Sequence, residues 1–254
     1  MTAPLRFTLA ERPELREDMS RINPSVWPEF MLHDPVADEH WLKLYEQFAE
    51  FQFVLCDETG EALACGNAIP FAWASMAGQW PRGWDAVFAC AVADYAAGRA
   101  PDALSALQAT VAKEHQGQGL SREVLKGMRR IAAARGFATL VAPVRPSLKS
   151  RYPLTPIENY IRWPGPEGLL FDPWLRTHQR LGAEVMSIAP ESMLITGTVG
   201  EWEAWTELHF PESGPYIVPG ALTPVTIDRE RDCGRYVEPN VWMRHTLALD
   251  AMRL

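Results

Sequence analysis

The sequence predicts a mixed α/β fold. Two observations carry this prediction. An apolar hairpin pattern surrounds the turn residues 57–60, and strand-like stretches alternate with amphipathic helical stretches through the middle of the chain. The chain has 254 residues, which is long enough to bury a large core in one domain.

The first half of the chain predicts two strands, the hairpin and two helices. A strand is expected at "RFTLAE" (6–11), and a helix at "DEHWLKLYEQFAEF" (38–51), where the large apolar side chains share one face. The hairpin "FQFVLCDETGEALACGNAI" (51–69) follows, with its turn marked by polar residues and glycine. A helix that begins at Trp84 then leads to the strand "ALSALQATV" (103–111).

The second half continues the alternation of helices and strands. An amphipathic helix is expected at 120–135, and the buried strand "FATLVAPV" at 137–144. The stretch "FDPWLRTHQRLG" (171–182) predicts a helix with an aspartate N-cap, proline in its first turn and a glycine stop. The stretches 183–189 and 193–199 are predicted to be two paired strands, and only short strands are expected after residue 200.

Composition narrows the possible partners and location of the protein. The net charge of −8 at neutral pH argues against a nucleic-acid-binding surface and favours a cationic or amine-bearing partner. No segment has the pattern of a signal peptide or of a membrane span. We therefore expect a cytoplasmic monomer or homodimer without nucleic-acid or membrane partners. No cysteine pair has the spacing of a zinc or redox motif, so reduced thiols are expected at Cys56, Cys65, Cys90 and Cys233.

The stretch "EHQGQGLSREVL" (114–125) places two glycines directly before a predicted helix. Backbone N–H groups at a helix start attract anions, and glycine lets a phosphate approach them closely. The stretch is not a P-loop, because no Gly-Lys-Ser/Thr follows it. It is not a dinucleotide-binding fingerprint either, because Arg122 occupies the position of the third glycine. An ordinary tight turn is the alternative.

The same stretch resembles the Q/R-x-x-G-x-G/A motif of the GCN5-related N-acetyltransferase (GNAT) superfamily. Gln116 and Gly119 match its first two anchors, and Ser121 replaces the usual glycine or alanine. The strand before it, the helix after it and the "RLGAEV" turn at 180–185 agree with the family's order of elements. The resemblance covers about 6–199, and the tail beyond it has no assigned counterpart.

The resemblance implies an acyl-CoA N-acyltransferase fold with a mixed, mostly antiparallel sheet and helices on both faces. The chain 1–254 would be a single domain, with a core at about 6–199 and a C-terminal extension at about 200–254. It also implies acetyl transfer from acetyl-CoA, as co-substrate, to an amine acceptor. Transfer would be direct, in a ternary complex, with no metal and no catalytic cysteine.

The residues implied to bind the cofactor are those of the strand end and of the glycine loop. In the family, backbone amides of the loop bind the pyrophosphate, and the strand end pairs with the pantetheine amides. On this sequence these residues are Ala109, Val111, Gln116, Gly117, Gln118, Gly119, Leu120 and Ser121.

His178 is the implied catalytic residue. In the family, a tyrosine on the helix before the L-G-F turn faces the CoA sulfur as general acid, and His178 occupies that position here. The alternative is a buried histidine that hydrogen-bonds a carbonyl and holds the helix.

The sequence does not identify the acceptor or the general base. Four acidic residues are candidates for the base, although none belongs to a motif: Asp102, Glu158, Glu201 and Glu203. Two other classes of function also remain open. One is a non-catalytic module that binds or senses acyl-CoA, and the other is an interaction scaffold whose glycine loop is only a turn.

Overall fold

The computed structural model describes residues 4–76 and 79–247. Within these ranges the strands form one sheet in the order β1-β2-β3-β4-β5-β9-β8-β7, with β6 also paired to β9. The first four strands are antiparallel neighbours, with the bounds β1 (Leu5–Thr8), β2 (Gln52–Cys56), β3 (Ala62–Phe71) and β4 (Ala103–Val111). The predicted hairpin is β2–β3, and it closes through a backbone hydrogen bond of 3.0 Å from Asp57 N to Glu61 O.

The rest of the sheet is organised around the strand β9. It pairs antiparallel with β5, β6 and β8, and β8 pairs with β7. These strands are β5 (Thr139–Val144), β6 (Glu184–Gly197), β7 (Gly214–Tyr216), β8 (Val225–Asp228) and β9 (Cys233–Thr246). β9 therefore lies in the middle of the sheet, so the boundary expected near residue 200 does not coincide with an edge of the sheet.

The prediction of two paired strands at 183–189 and 193–199 is wrong. Both stretches belong to the single strand β6, and both pair with β9 instead of with each other. The register shifts between Ala189 and Met193, where Pro190 lacks an N–H for the ladder. The break in the apolar pattern therefore marks an irregularity within one strand and not a turn between two.

Helices cover both faces of the sheet, as predicted. They are α1 (Arg16–Ile22), α2 (Pro35–Glu46), α3 (Trp84–Ala96), α4 (Leu120–Ala134), α5 (Ile157–Tyr160), α6 (Pro173–Arg180) and α7 (Val199–Thr206). Neighbouring residues of β3 show the two faces, because successive side chains in a strand point to opposite sides. A Cβ at Gly66 would lie 3.1 Å from Val124 of α4, whereas the Asn67 amide contacts Met19 of α1.

The sheet opens between β4 and β5. These parallel strands pair at Leu104–Leu140 and Ser105–Val141 only. Just beyond this point β4 carries a bulge, because Leu107 has no partner between the pairs Asn67–Gln108 and Ala68–Ala106. Bulges bend a strand and increase its twist. β4 therefore diverges from β5 and leaves a gap near the centre of the sheet.

No helix in the described part of the chain is both long and apolar enough to cross a membrane.

Candidate active site

A cavity of about 990 Å³ occupies the gap between β4 and β5. We name two parts of its lining. The glycine-loop wall is formed by residues of β4, of the loop that follows it and of α4, namely Ala106, Leu107, Gln108, Ala109, Gln116, Ser121, Leu125 and Met128. The aromatic wall is formed by Trp27, Asp38, Trp41, Tyr45 and Trp84. Further lining comes from β5, α6, β6 and β9.

The glycine loop has the conformation that its sequence suggested. Gly117 and Gly119 have φ angles of 78° and 79°, in the left-handed region where a side chain would be strained. Gly119 is the N-cap of α4, so the first N–H groups of this helix lack intrahelical partners. Open backbone donors at a helix start, beside a large cavity, form a suitable site for an anion.

The free side of β4 faces the gap. Ala112 N donates to Leu63 O at 3.0 Å, and narrow and wide pairs alternate along an antiparallel ladder. The backbone N–H and C=O groups of Ala109 and Val111 therefore point away from β3. Consistent with this, Gln116 Nε2 donates to Val111 O at 3.4 Å. These backbone groups are available to a ligand that adds to β4 like another strand.

His178 lies on α6 in the lining of the cavity. Asp172 caps the start of this helix by accepting from Trp174 N and Leu175 N, and Gly182 follows its end with a φ of 84°. The His178 side chain is 1% exposed. Its burial, with His245 beside it, lowers its pKa well below the ordinary value. His178 is therefore a neutral imidazole at neutral pH.

The hydrogen-bond partner of His178 is another histidine, not a carbonyl. His178 Nδ1 lies 3.1 Å from Nε2 of His245, a buried residue of β9. His178 Nε2 is buried and has no hydrogen-bond partner. The sequence does not indicate His245 as a partner of His178, because the two residues are 67 positions apart and no spacing rule links them.

The aromatic wall combines ring faces with a carboxylate. Trp41 stacks on Trp84 with their ring centroids 6.5 Å apart and donates to the Tyr45 hydroxyl at 2.8 Å. Trp84 in turn donates from Nε1 to the carbonyl of Leu107, the bulge residue, at 2.8 Å. Asp38, on the same helix as Trp41, is exposed. Fixed aromatic faces beside a carboxylate favour a cationic ligand.

A second charged group of the cavity lining is paired within the protein. Glu238 is fully buried, and its carboxylate accepts from Arg145 Nε and from the Tyr236 hydroxyl, each at 2.8 Å. Asn240 Nδ2 donates to its other oxygen at 3.2 Å. Arg145 also donates from Nη2 to Gly220 O at 2.6 Å and lies 5.6 Å from the Trp27 ring centroid. The Glu238 charge is thus balanced before any ligand binds.

A buried aspartate, Asp34, and a partly buried one, Asp85, lie at the starts of α2 and α3, the helices that carry Trp41 and Trp84. Asp34 Oδ1 accepts from Val36 N and Ala37 N, and Asp85 Oδ2 accepts from Leu194 N at 3.0 Å. The remaining oxygens, Asp34 Oδ2 and Asp85 Oδ1, are buried and have no hydrogen-bond partner in the described part of the chain, and the two carboxyl groups influence each other electrostatically. Burial raises the pKa of Asp34 to about 6, and burial together with the Asp34 charge raises the pKa of Asp85 to about 8.

None of the four acidic residues suggested as the general base belongs to the lining of the cavity. Asp102 accepts from the backbone N–H groups of Trp73 and Ala74. Glu201 forms a capping box with Thr198 at the start of α7, Glu203 pairs with His209, and Glu158 is exposed. The acidic residues that do line the cavity are Asp38 and Glu238.

In the described part of the chain, no cluster of three or more His, Cys, Asp or Glu side chains could hold a metal ion. The four cysteines are unpaired, and none lines the cavity.

A parted sheet, a glycine loop with open backbone donors and a strand edge open to a ligand fit a protein that binds an acyl-CoA. Comparison with known proteins agrees with this class. No model of a protein family matches the chain. However, the arginine N-acetyltransferase avaD of Aspergillus versicolor is 34% identical to it over 270 positions, which cover 94% of this chain and 93% of avaD.

Two solved structures share the fold at lower identity. The loading GNATL domain of CurA from Lyngbya majuscula superposes with a TM-score of 0.62 at 18% identity, over 96% of this chain and 98% of that domain. The GphF GNAT-like decarboxylase, in complex with isobutyryl-CoA, gives 0.57 at 18% identity, over 96% and 100%.

The chain belongs to the GNAT superfamily. It is an acyl-CoA-dependent N-acyltransferase that transfers an acetyl group from acetyl-CoA to an amine. The prediction of the family, the fold and the reaction is therefore confirmed, and the binding-module and scaffold alternatives are not supported.

Proposed function

We propose that the amine acceptor is arginine or a closely similar cationic amino acid. The observation that carries this proposal is the aromatic wall, where three tryptophans and a tyrosine accompany the carboxylate of Asp38. A guanidinium group stacks well on aromatic faces and forms paired hydrogen bonds with a carboxylate. The avaD relative, named an arginine N-acetyltransferase, supports the same substrate class.

Arg145 provides a counterpart for the acceptor's carboxylate. Its side chain lines the cavity, and it commits donors to Glu238 and to Gly220 O. A guanidinium carries five N–H donors, so others remain for a ligand. An acceptor with a cation at one end and a carboxylate at the other would match Asp38 and Arg145 together.

On the opposite part of the lining, we propose that the glycine-loop wall holds acetyl-CoA. The N–H groups of Gly117 to Ser121 would bind the pyrophosphate, and the backbone of Ala109 and Val111 would pair with pantetheine. The thioester would then lie in the gap between β4 and β5, within reach of His178. Direct transfer requires the amine and the thioester to be held together, and such positioning supplies about 7–11 kcal/mol at best.

A panel of acceptors tests the proposed substrate class. Release of free CoA thiol is measured with acetyl-CoA and L-arginine, agmatine, L-citrulline, L-lysine or L-glutamate. We expect the highest kcat/KM for arginine, a loss for agmatine, which lacks the carboxylate, and a larger loss for citrulline, which lacks the cation. Equal turnover of citrulline or glutamate would contradict the proposal.

Asp38→Asn sharpens the test within the protein. Removing the carboxylate should raise the KM for arginine about tenfold, equivalent to ~1.4 kcal/mol of binding, and should leave the KM for acetyl-CoA unchanged. Glu39→Gln is the matched control, because Glu39 is the next residue of α2, is exposed and does not line the cavity. The same rise in the KM for arginine in both variants would show that Asp38 does not recognise the acceptor specifically.

We also propose that the enzyme works in the cytoplasm as a monomer or homodimer. Four unpaired cysteines are compatible with a reducing compartment. Cell fractionation and light scattering of the purified protein test the two parts of this proposal separately.

A further inference from the structure

The pair of His178 and His245 joins a helix to the centre of the sheet at the lining of the cavity. Both side chains are 1% exposed, and their facing nitrogens, Nδ1 of His178 and Nε2 of His245, are 3.1 Å apart. Two neutral imidazoles can share one hydrogen bond only if one ring donates and the other accepts. The direction of this bond decides whether the outer nitrogen, Nε2 of His178, carries a proton.

The surroundings of His245 leave it neutral, with a single N–H. Its pKa is lowered to about 4, first by burial and then by the nearby positive charge of Arg129 on α4. The opposing effect comes from the nearby backbone of Leu181, which raises the pKa. A neutral ring in this position must place its proton on one of the two sides, toward Leu181 or toward His178.

The Leu181 side receives the proton. Leu181 is the C-cap residue of α6, so its carbonyl lies among the helix-end carbonyls that lack an intrahelical donor. A carbonyl accepts and never donates, and the nitrogen left to face it is Nδ1 of His245. Nδ1 of His245 makes no hydrogen bond that meets distance and angle criteria, but the Leu181 backbone is close enough to affect its pKa, and an unprotonated nitrogen there would place two lone pairs against each other in a buried site.

The tautomer of His178 follows from the position of the proton on His245. With the proton of His245 on Nδ1, its Nε2 is an acceptor, and His178 must donate from Nδ1. His178 is neutral because burial and the adjacent His245 lower its pKa, so it has no second proton. Its Nε2 is therefore a bare lone pair, buried and without a hydrogen-bond partner at the lining of the cavity.

We infer that His245 is a positioning residue that fixes His178 with Nε2 unprotonated, so that His178 first accepts a proton during transfer and only then donates one. The amine nitrogen attacks the thioester carbonyl, and a C–N bond forms. Nε2 of His178 takes the extra proton from that nitrogen. The C–S bond then breaks, and the departing sulfur takes the proton from Nε2.

The proton thus moves from nitrogen to sulfur, and His178 ends in its starting state. This sequence of proton transfers differs from the role of general acid that the family resemblance implied for His178, because Nε2 of resting His178 has no proton to donate. The inference rests on acetyl transfer to an amine and on no particular acceptor.

Nuclear magnetic resonance tests the tautomer without any substrate. In the protein labelled with ¹⁵N-histidine, long-range ¹H–¹⁵N correlations distinguish protonated from unprotonated ring nitrogens. Spectra of His178→Gln and His245→Gln assign the two rings among the six histidines. We expect Nδ1 protonated and Nε2 unprotonated in both rings at neutral pH. A protonated Nε2 on His178 would overturn the inference, whatever the acceptor is.

Kinetics test the positioning role. His245→Leu removes the acceptor for Nδ1 of His178 and should lower kcat at least tenfold with the KM for acetyl-CoA unchanged. His245→Gln keeps an oxygen near the position of Nε2 and should recover most of that loss. The pH profile of kcat/KM should shift in the leucine variant and not in the glutamine variant.

The matched control is His40→Gln, because His40 is also buried and bonds Lys43 away from the cavity lining. It should retain full kcat. Equal activity of the leucine and glutamine variants at position 245, whether high or low, would overturn the positioning role of His245.

Discussion

The two walls of the cavity are built in different ways. The glycine-loop wall comes from one continuous stretch, 106–128, and presents backbone groups to its ligand. The aromatic wall gathers side chains from positions as far apart as Trp27 and Trp84, next to Arg145 and Glu238. A short local motif is enough to specify a backbone site, whereas a side-chain site depends on how the whole chain packs.

His178 provides the largest expected effect, because it is proposed to carry the proton of the reaction and to bind neither substrate. His178→Ala should lower kcat by about 10²–10⁴-fold, the usual contribution of a positioned proton carrier. Affinity for acetyl-CoA, measured by calorimetry, should change little. Thr177→Ala is the control, since Thr177 directly precedes His178 on α6 and also belongs to the cavity lining. Full turnover in folded His178→Ala, with chemistry rate-limiting, would assign His178 to structure.

Gly119→Val tests the glycine-loop wall. A hundredfold excess of acetyl-CoA over its Kd should stabilise the wild-type protein by about 2.7 kcal/mol. The variant should lose this stabilisation, because a branched side chain at a positive φ displaces the loop amides. Gly98→Val is the matched control. Gly98 also has a positive φ, of 65°, a Cβ added there would meet no atom within 4 Å, and the residue does not line the cavity.

Both valine variants should lose intrinsic stability, and only Gly119→Val should lose the acetyl-CoA shift. If Gly119→Val keeps its affinity for acetyl-CoA, the loop is an ordinary turn and the two walls no longer differ in the proposed way.

Asp85→Asn tests whether Asp34 and Asp85, at the starts of the helices that carry the aromatic wall, make the stability of the fold depend on pH. Asp34 and Asp85 bind protons more tightly in the folded protein than in the unfolded chain, where an aspartate has a pKa near ~3.9. Their stabilising effect is therefore complete below that pH and is lost as pH rises through about 6 and about 8. The free energy of unfolding should fall by up to ~1.4 kcal/mol per pH unit for each proton lost.

Urea titrations at several pH values between 5 and 9 measure this slope. Asp85→Asn should flatten it, because one carboxyl group of the pair can no longer ionise. Asp18→Asn, at a partly exposed aspartate on α1, should leave it unchanged. An unaltered slope in Asp85→Asn would show that ionisation of Asp85 does not contribute to the pH dependence of stability. The other acidic groups near Asp85 and Asp34 are Glu238 and Asp38.

Substitution of the cysteines is expected to have the smallest effect on activity, since the cysteines belong to neither wall. Burial raises the pKa of Cys56, Cys65 and Cys90, so their thiols are protonated and weakly nucleophilic at neutral pH. Replacing each of the four cysteines with alanine should change kcat/KM less than about twofold in a direct-transfer enzyme. Mass spectrometry after incubation with acetyl-CoA alone should find no acetylated cysteine, and such an adduct would indicate a covalent intermediate.

Local sequence signals predicted most of the fold. The hairpin turn, the glycine loop and the aspartate cap and glycine stop of α6 each depend on residues within a few positions of one another. The sequence also predicted the positions later proposed for acetyl-CoA, for the same reason. Its error at β6 arose because a bulge and a turn give the same break in an apolar pattern.

The remaining features depend on packing between distant segments. Nothing near His245 in sequence indicates a partner, and the pairing of β9 with β5 helps to bring it to α6. The general base candidates illustrate the same limit, since acidic residues outside the cavity lining look no different in sequence from Asp38 within it. The side chains proposed to select an acceptor are thus harder to predict than the backbone proposed to hold the cofactor.

The central position of β9 also has a consequence for biosynthesis. The strands β5 and β6 are translated before β9. Each therefore keeps an unpaired edge until residues 233–246 leave the ribosome. Such non-local pairing slows folding and leaves aggregation-prone edges exposed in the meantime. Ribosome-stalled chains ending before residue 233 should therefore remain sensitive to protease, and chains in which residue 247 has emerged should become resistant. Protection of the shorter chains would show that the first half of the sheet folds independently.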